Sequence, residues 1–189
     1  LDMGKSAIIA NARQNAALTN AKEAISRATL NLTGTWATYE SRDAYATLAL
    51  NDERIKIGGL NATGHALAHV MAGAAPSGVS RSAPDSTRST TLEITGSGNY
   101  EYKGTIGTKG DKTSSYGVSI EMTGTGTQLF NGSTVVGNDV AALNGTLNFN
   151  SAGLYIKGDV TVAQGATLKL NDSFTLGSGH TLNVVAGTN

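Results

Sequence analysis

The chain of 189 residues contains no cysteine, which excludes disulfide bonds, thiolate metal sites and a cysteine nucleophile. Charged residues make up only 15% of the chain, and its formal net charge is zero. Lysine and arginine do not cluster, so no electrostatic footprint for nucleic acid is present. No apolar run approaches the length of a membrane span, and no signal peptide is visible. We therefore predict no nucleic-acid partner, no membrane span in this chain and no cofactor.

Glycine is abundant, with 24 residues, and threonine, asparagine and serine are also frequent. This mixture is typical of short strands joined by tight turns. Apolar residues recur throughout, which does not fit a disordered chain. The sequence begins at Leu1 and stops at Asn189, and both ends look cut. We interpret the chain as a piece of a longer protein, whose remainder is then a partner in the native molecule.

Residues 1–28 are predicted to form an N-terminal α-helix. Alanine and isoleucine recur near a period of 3.6 residues, and proline is absent. The apolar face of this helix is mostly alanine and therefore thin. We expect the helix to act as a cap for the rest of the chain or as an oligomer contact.

Residues 29–89 are predicted to form a mixed strand and helix segment that ends in a linker. Both prolines lie near its end, in a polar stretch. The elements predicted within it are a strand from residue 30, a hairpin of residues 45–50 and 54–57, a helix over 64–72 and a linker over 76–89.

Residues 90–189 are predicted to form a β-repeat region. The region has no proline, and short alternating runs are separated by glycine, asparagine or aspartate. This period of two is typical of half-buried strands. The predicted strands are Leu92–Ile94, Ser119–Met122, Thr146–Phe149, Leu154–Lys157, Val160–Val162, Thr167–Leu170 and Thr181–Val184.

Some of these runs align with one another. The segment from Leu92 matches the segment from Ile120, and a weaker third copy begins at Leu147, so the three starts are almost evenly spaced along the chain. A fixed period of this size is typical of solenoids, propellers or arrays, in which neighbouring units bury a shared core. The predicted fold class is mainly β, a β-solenoid with the N-terminal helix, and the alternative is a β-sandwich.

Two segments, LEITGSGNYEYKGTIG from residue 92 and GDVTVAQGATLKLN from residue 158, resemble the autotransporter-associated β-strand repeat. The resemblance covers residues 90–185. It implies a right-handed β-helix or β-roll in a bacterial protein that is secreted or associated with the cell surface and outer membrane. It implies a non-catalytic scaffold, and we expect an adhesin-like interaction surface with host or matrix glycans, glycoproteins or proteins as partners.

A secreted hydrolase, either an aspartic-type peptidase or a glycan-acting enzyme, is the alternative function. Glu40, Asp43, Asp52 and Asp85 are its candidate catalytic residues, because a hydrolase of this kind needs a carboxylate pair. The predicted hairpin would bring Asp43 near Asp52. The Asp-Thr-Gly or Asp-Ser-Gly signature of acid peptidases is absent, so the same residues also fit solvated turns.

Aromatic and histidine side chains suggest two further sites. Tyr100, Tyr102 and Trp36 are candidate sugar-stacking residues, which would make the chain a carbohydrate-binding module, although half-buried strand aromatics fit equally. His65 and His69 have the spacing of two metal ligands on a helix. The glutamate of H-E-x-x-H and a nearby third ligand are both missing, so packing or surface histidines are favoured.

Overall fold

The computed structural model describes residues 2–3, 7–9, 26–32, 46–50, 54–62, 68–72, 89–106, 117–132 and 134–185. Within these ranges the chain is mainly β, and every strand pair is parallel. The strands are β1 (Asp2–Met3), β2 (Ala7–Ile9), β3 (Thr29–Leu32), β4 (Ala46–Leu50), β5 (Arg54–Ile57), β6 (Gly59–Asn61), β7 (Ala68–Ala72), β8 (Ser89–Ile94), β9 (Asn99–Tyr102), β10 (Thr105–Ile106), β11 (Gly117–Met122), β12 (Thr127–Phe130), β13 (Val135–Val136), β14 (Val140–Ala142), β15 (Thr146–Phe149), β16 (Leu154–Ile156), β17 (Val160–Val162), β18 (Thr167–Leu170), β19 (Phe174–Leu176) and β20 (Leu182–Val184).

The strands stack in three columns, and from β3 onwards each column takes every third strand. The first column runs from β1 through β3, β6, β9, β12 and β15 to β18. The second runs from β2 through β4, β7, β10, β13 and β16 to β19. The third runs from β5 through β8, β11, β14 and β17 to β20. Three consecutive strands, one from each column, are called a layer below. This parallel arrangement is consistent with a β-solenoid and lacks the antiparallel pairing of a β-sandwich among the described strands.

Two of the columns are interrupted, whereas the third is continuous. In the first column, the only described strand pairing between β6 and β9 is the isolated bridge between Ala62 and Tyr102, beside which the amide of Glu101 donates to Asn61 Oδ1 at 3.0 Å. In the second column, the only bridge between the described residues of β10 and β13 joins Ile106 and Thr134. The third column is one uninterrupted sheet of six strands. The layer β9–β11 therefore lies between both interruptions.

The core consists of rows of apolar side chains that run along the columns. Alternation along each strand points every second side chain inward, and parallel register places these residues above one another. One such row contains Ile55, Leu92, Ile120, Val140 and Val160, all buried. Burying an aliphatic side chain of this size contributes about 1.5–3 kcal/mol. A single layer has no core of its own, so the rows hold the layers together.

An aromatic row strengthens the first column. Tyr102, Phe130 and Phe149 are in register and fully or almost fully buried. The rings of Phe130 and Phe149 are stacked with centroids 5.1 Å apart, and Tyr102 meets Phe130 edge-on at 6.2 Å. Aromatic pairs in these geometries add about 0.5–1.5 kcal/mol to the burial of their area.

Glycines allow the close approach of layers at the corner between the third and first columns. The amide of Gly96 donates to the carbonyl of Gly58 at 2.8 Å. A Cβ on Gly96 would overlap that carbonyl oxygen, and a Cβ on Gly124 would overlap the carbonyl oxygen of Gly96. The sequence Thr-Gly-x-Gly occurs at this corner in residues 95–98 and 123–126. The stacking of layers therefore requires the first glycine of each copy.

The first predicted repeat is confirmed and the third copy is wrong. Leu92 pairs with Ile120 in the third column, as the alignment predicts. The next partner of Ile120 is Val140, which comes earlier in the chain than the predicted third copy, whereas Leu147 pairs with Gln128 in another column. Local similarity between two strands does not reveal which column each belongs to, because all columns share the same alternation.

The predicted N-terminal helix over residues 1–28 is not shown by the residues that the structure describes there. Ala7–Ile9 is a strand that pairs with β4, while Ser26 and Arg27 are helical. Residues 10–25 lie outside the described residues. Ile8 and Ile9 are β-branched, and a neighbouring strand edge outweighs the helix propensity of the alanines around them. No helix within the described ranges is long and apolar enough to cross a membrane.

The hairpin and the second helix are also corrected. Residues 46–50 and 54–57 are strands, as predicted, but they belong to different columns and do not pair. Ala68–Ala72, predicted as helical, is a strand between β4 and β10. Its alanines favour a helix locally, and pairing on both edges overrides this preference.

Candidate functional site

Charged side chains gather on the outer face of the third column. Lys56, Glu93 and Glu121 follow one another in register on β5, β8 and β11. The Nη1 atom of Arg54 lies 2.8 Å from Glu93 Oε2 and 3.0 Å from Glu121 Oε1. Lys56 Nζ lies 3.2 Å from Glu93, and Thr123 Oγ1 donates to Glu93 Oε1 at 2.9 Å. These five residues are called the charged cluster.

Glu93 is the centre of the charged cluster, and its side chain is only 6% exposed although alternation points it outward. Burial acts to raise the pKa of Glu93, but hydrogen bonds from Arg54, Thr123 and Lys56 outweigh it and hold the pKa below its ordinary value. Hydrogen bonds with Glu121 and Glu93 in turn raise the pKa of Arg54. Glu93 is therefore ionised at neutral pH.

The chemistry of the charged cluster favours a structural role. A general acid needs a carboxyl group that holds a proton near neutral pH, which the cations around Glu93 prevent. A divalent metal would compete with Arg54 and Lys56 for the same oxygens. Within the described ranges, no group of three or more histidine, aspartate or glutamate residues is placed to hold a metal ion. The cluster instead neutralises two carboxylates that register brings together.

A second polar feature lies at the corner between the second and third columns. Asp139 Oδ1 accepts a 2.8 Å hydrogen bond from the amide of Asp159. One layer later, Asp159 Oδ1 accepts from the amide of Thr181 at 2.8 Å and lies 3.3 Å from His180 Nδ1. The amide of Thr181 is the main cause that lowers the pKa of Asp159. Both carboxylates are exposed and bind backbone, which is turn chemistry rather than catalysis.

Asparagines form a ladder along the outer surface at the ends of the first-column strands. Asn131 Nδ2 donates to Glu101 Oε1, and Asn150 Nδ2 donates to Asn131 Oδ1, both at 2.9 Å. Asn171 Nδ2 donates to Asn148 Oδ1 at 2.9 Å. Asn131, Asn150 and Asn171 each follow a strand directly, so the recurrence of asparagine after a strand is the sequence signal for this ladder.

The outward rows of the first column are regular and mostly polar, and Leu129, the register partner of Asn148, is an apolar member. Thr127, Thr146 and Thr167 are in register in three successive layers, and Asn148 and Lys169 are register partners in the row beside them. Register partners on neighbouring strands repeat at about 4.8 Å. These five residues are called the first-column face. It offers hydroxyl, amide and ammonium groups at a fixed repeat.

Gln128 is a buried polar residue that the sequence analysis missed. It is fully buried, and its amide makes two hydrogen bonds of 2.9 Å with the backbone of Leu60, one to the carbonyl and one from the N–H. Leu60 lies on β6, at the interruption of the first column. The side chain thus replaces the strand that would otherwise pair with Leu60. A polar residue at an inward position of an alternating run is the signal that could have revealed it.

Tyr100 and Tyr102 lie on the same face of β9, and this is the inner face. Tyr102 is fully buried, its hydroxyl donates to the carbonyl of Thr105 at 3.1 Å, and burial raises its pKa. Tyr100 is half-buried, its ring covers Gly59, and its hydroxyl accepts from the amide of Gly98 at 3.2 Å. The ring of Tyr102 is therefore not available for stacking on a sugar.

Of the other predicted site residues, His69 alone lies within the described part of the chain. His69 lies in strand β7, so the helical spacing on which the metal site depended does not apply. The predicted residues that lie outside the described residues are Trp36, Glu40, Asp43, Asp52, His65 and Asp85. The hydrolase alternative rests on four of these and stays a prediction.

Comparison with known proteins gives no match, either to a family model, to a curated protein or to a solved structure. The function of the chain is therefore inferred from its own residues and geometry.

Proposed function

We propose that the chain is a right-handed β-solenoid segment of a bacterial protein that is secreted or located at the cell surface. In this proposal it is a non-catalytic scaffold of the autotransporter-associated β-strand repeat kind. Its outer faces form an adhesin-like surface for glycans, glycoproteins or proteins.

The stacking of strands supports the solenoid. The chain returns to each column after forming one strand in each of the other two, and the new strand pairs in parallel with the previous strand of its column. A connection between parallel strands of one sheet is right-handed in nearly all proteins, because strand twist favours that hand. A right-handed coil of three strands in each turn accounts for the order of the described strands from β3 onwards.

The first-column face is the observation that carries the proposed interaction. Thr127, Thr146 and Thr167 present hydroxyl groups at the same position of successive layers. Glycans and extended peptides repeat polar groups along one direction, so an extended row of donors and acceptors can contact several of their units. Among the described carboxylates of the outer surface, Glu93 is held by ion pairs and Asp159 accepts from a backbone amide, which favours a structural role for these two residues.

Binding to a panel of mucin glycans, collagen and fibronectin tests the proposal, with surface plasmon resonance as the measurement. Thr146→Lys with Thr167→Lys places two bulky cations in the first-column face. We expect this double variant to bind about tenfold or more weakly to the probe that the wild-type chain binds.

Thr161→Lys with Asn183→Lys is the matched control, because these two residues are in-register outward neighbours in the third column. It should leave the affinity within about twofold, since surface changes away from an interface are nearly neutral. A chain that binds no probe, or an equal loss in both variants, would contradict the proposed surface.

A further inference from the structure

Two asparagines of the chain are followed directly by glycine, and the structure places them in different surroundings. The pairs are Asn131–Gly132 and Asn144–Gly145. Asparagine is a labile residue, because the backbone nitrogen of the next residue can attack its side-chain carbonyl carbon, Cγ. A following glycine favours this attack, since it has no Cβ to block the approach and adopts many backbone conformations. Both pairs have the reactive sequence, so the fold decides which of them reacts.

The Asn144–Gly145 pair lies in the turn between β14 and β15. Asn144 is exposed, and Gly145 has a φ of 54°. The amide of Gly145 donates to Asn144 Oδ1 at 2.9 Å. Because Oδ1 is bonded to Cγ, this contact brings the attacking nitrogen close to the carbon that it must reach. Among the described residues, no carbonyl of a neighbouring layer accepts from this amide, so the layers do not hold the nitrogen in place.

The Asn131–Gly132 pair is part of the asparagine ladder, and its side-chain amide is engaged on both sides. Asn131 Nδ2 donates to Glu101 Oε1, and Asn131 Oδ1 accepts from Asn150 Nδ2, both at 2.9 Å. These hydrogen bonds tie the side-chain amide to the two neighbouring layers, and turning it towards the nitrogen of Gly132 would break them. The carboxylate of Glu101 also disfavours the negative charge that develops on the attacked amide.

We propose that Asn144 is a site of spontaneous deamidation in the folded chain and that the asparagine ladder protects Asn131 from the same reaction. A hydroxide ion takes the proton from the nitrogen of Gly145, and this nitrogen forms a bond to Asn144 Cγ. The bond from Cγ to Nδ2 breaks, ammonia leaves with a proton from water, and a cyclic succinimide remains. A water molecule then opens the ring. Breaking the new bond to Cγ gives aspartate, and breaking the original peptide bond gives isoaspartate.

The reaction changes the corner between the third and first columns. Aspartate adds a negative charge two residues before Thr146 of the first-column face. Isoaspartate also adds a carbon to the backbone of a turn that is fixed to both neighbouring layers. The amide of Asn144 donates to the carbonyl of Met122 at 3.0 Å, and the carbonyl of Gly145 accepts from the amide of Thr167 at 2.8 Å. The isoaspartate product therefore strains the stacking on both sides of the turn.

Peptide mapping by mass spectrometry, on the full chain kept for several weeks at mildly alkaline pH, tests this site. Deamidation raises the mass of a peptide by about 1 Da, and fragment ions assign the change to one asparagine. In the folded chain, Asn144 should react at least about tenfold faster than Asn131. In the chain unfolded by guanidinium, the two rates should agree within about threefold, because both residues precede glycine.

Asn150→Ala removes the donor to Asn131 Oδ1 and should raise the rate at Asn131 about threefold or more, with the rate at Asn144 unchanged. Asn171→Ala is the matched control and should change neither rate, because this ladder residue donates to Asn148.

Equal rates at the two asparagines of the folded chain would overturn the proposal. A folded chain in which Asn144 stays intact while the unfolded chain reacts would do the same. An unchanged rate at Asn131 in Asn150→Ala would overturn the protection by the ladder. None of these outcomes depends on glycan or protein binding at the first-column face.

Discussion

The middle and the end of the third column contain similar side chains and bury them to different degrees. Ile120 and Leu182 occupy the same inward row, yet Ile120 is fully buried and Leu182 is about half exposed. Strand β11 pairs on both edges, whereas β20 pairs only with β17. Burial in this chain is thus determined by the number of neighbouring layers rather than by the local sequence.

Polar side chains also differ in burial between the middle layers and the last layers. In the middle of the molecule, Gln128 and Glu93 are buried and fully engaged with partners. Towards the end, Asp159 and Asn171 make comparable hydrogen bonds but stay exposed. A hydrogen bond contributes more where its loss leaves a buried group unpaired, so polar substitutions should matter most in the middle layers.

The largest difference in stability is expected when a residue of this inward row is replaced in the middle of the column and, separately, at its end. Ile120→Ala is expected to lower the free energy of unfolding by about 3–4 kcal/mol, because it leaves a cavity between two neighbouring layers. Leu182→Ala should lower it by less than about 1 kcal/mol, because the side chain is already half in water. Urea unfolding followed by circular dichroism, at a concentration that keeps the chain monomeric, measures both. Equal losses would contradict the dependence on neighbours.

Gln128→Leu should have the next largest effect. It preserves much of the volume but leaves the N–H and carbonyl of Leu60 without their hydrogen bonds, at a cost of about 2–3 kcal/mol. Thr127→Val, on the adjacent outward position, is the control and should cost less than about 0.5 kcal/mol. Urea unfolding measures this pair as well. A Gln128→Leu chain as stable as the control would show that Leu60 finds other partners.

Glu93→Gln should lower the free energy of unfolding at neutral pH by about 1–2 kcal/mol, since charge-assisted hydrogen bonds are replaced by weaker ones. The folded pKa of Glu93 lies below the unfolded value of about 4.3. Its contribution is therefore present above that value and is lost as pH falls through the folded pKa.

Thermal unfolding between about pH 7 and about pH 3 measures this contribution, and Glu93→Gln should flatten the pH dependence. Glu101→Gln is the control, because the half-exposed ion pair of Glu101 with Lys103 is worth little and a glutamine oxygen can still accept from Asn131. An unchanged pH dependence in Glu93→Gln would mean that other carboxylates carry it.

The smallest effect on stability is expected from pairs of cysteine substitutions, which test by disulfide formation whether two strands are neighbours in a column. Thr146 and Thr167 are register partners on the first-column face, at about 4.8 Å, which suits a disulfide. Thr146→Cys with Thr167→Cys should cross-link on mild oxidation, as a mobility shift in non-reducing gels. The chain has no other cysteine to interfere. Thr127→Cys with Thr167→Cys spans two layers, about 10 Å, and should stay reduced. Cross-linking of both pairs alike would contradict the stacking order.

Much of the C-terminal region could be predicted from its alternation. The runs Thr146–Phe149, Val160–Val162 and Thr167–Leu170 are confirmed as strands with those bounds. Their partners could not be predicted, because parallel pairing joins segments that are separated in the chain by two strands of the other columns. The helix predicted over 64–72 was wrong over its described part, 68–72, for a related reason. Its alanines carry a local preference, and the edges that override it belong to distant strands.

The charged cluster and the buried side-chain amide of Gln128 could not be predicted from the sequence, for different reasons. Alternation places Glu93 outward and therefore in water, and only the register with Lys56 and the reach of Arg54 bury it. Gln128 is a polar residue at an inward position of its strand, but its partner Leu60 lies 68 residues away. Residue type marks such positions, whereas the partner depends on how the columns are arranged.

The interruptions in two columns have a mechanical consequence. Both lie next to the layer β9–β11, while the third column passes this layer as one hydrogen-bonded sheet. Backbone ladders resist stretching along the stack far better than side-chain contacts do. The third column therefore keeps the layers on both sides of β9–β11 connected by backbone hydrogen bonds, whereas fewer such bonds connect them in the described parts of the first and second columns.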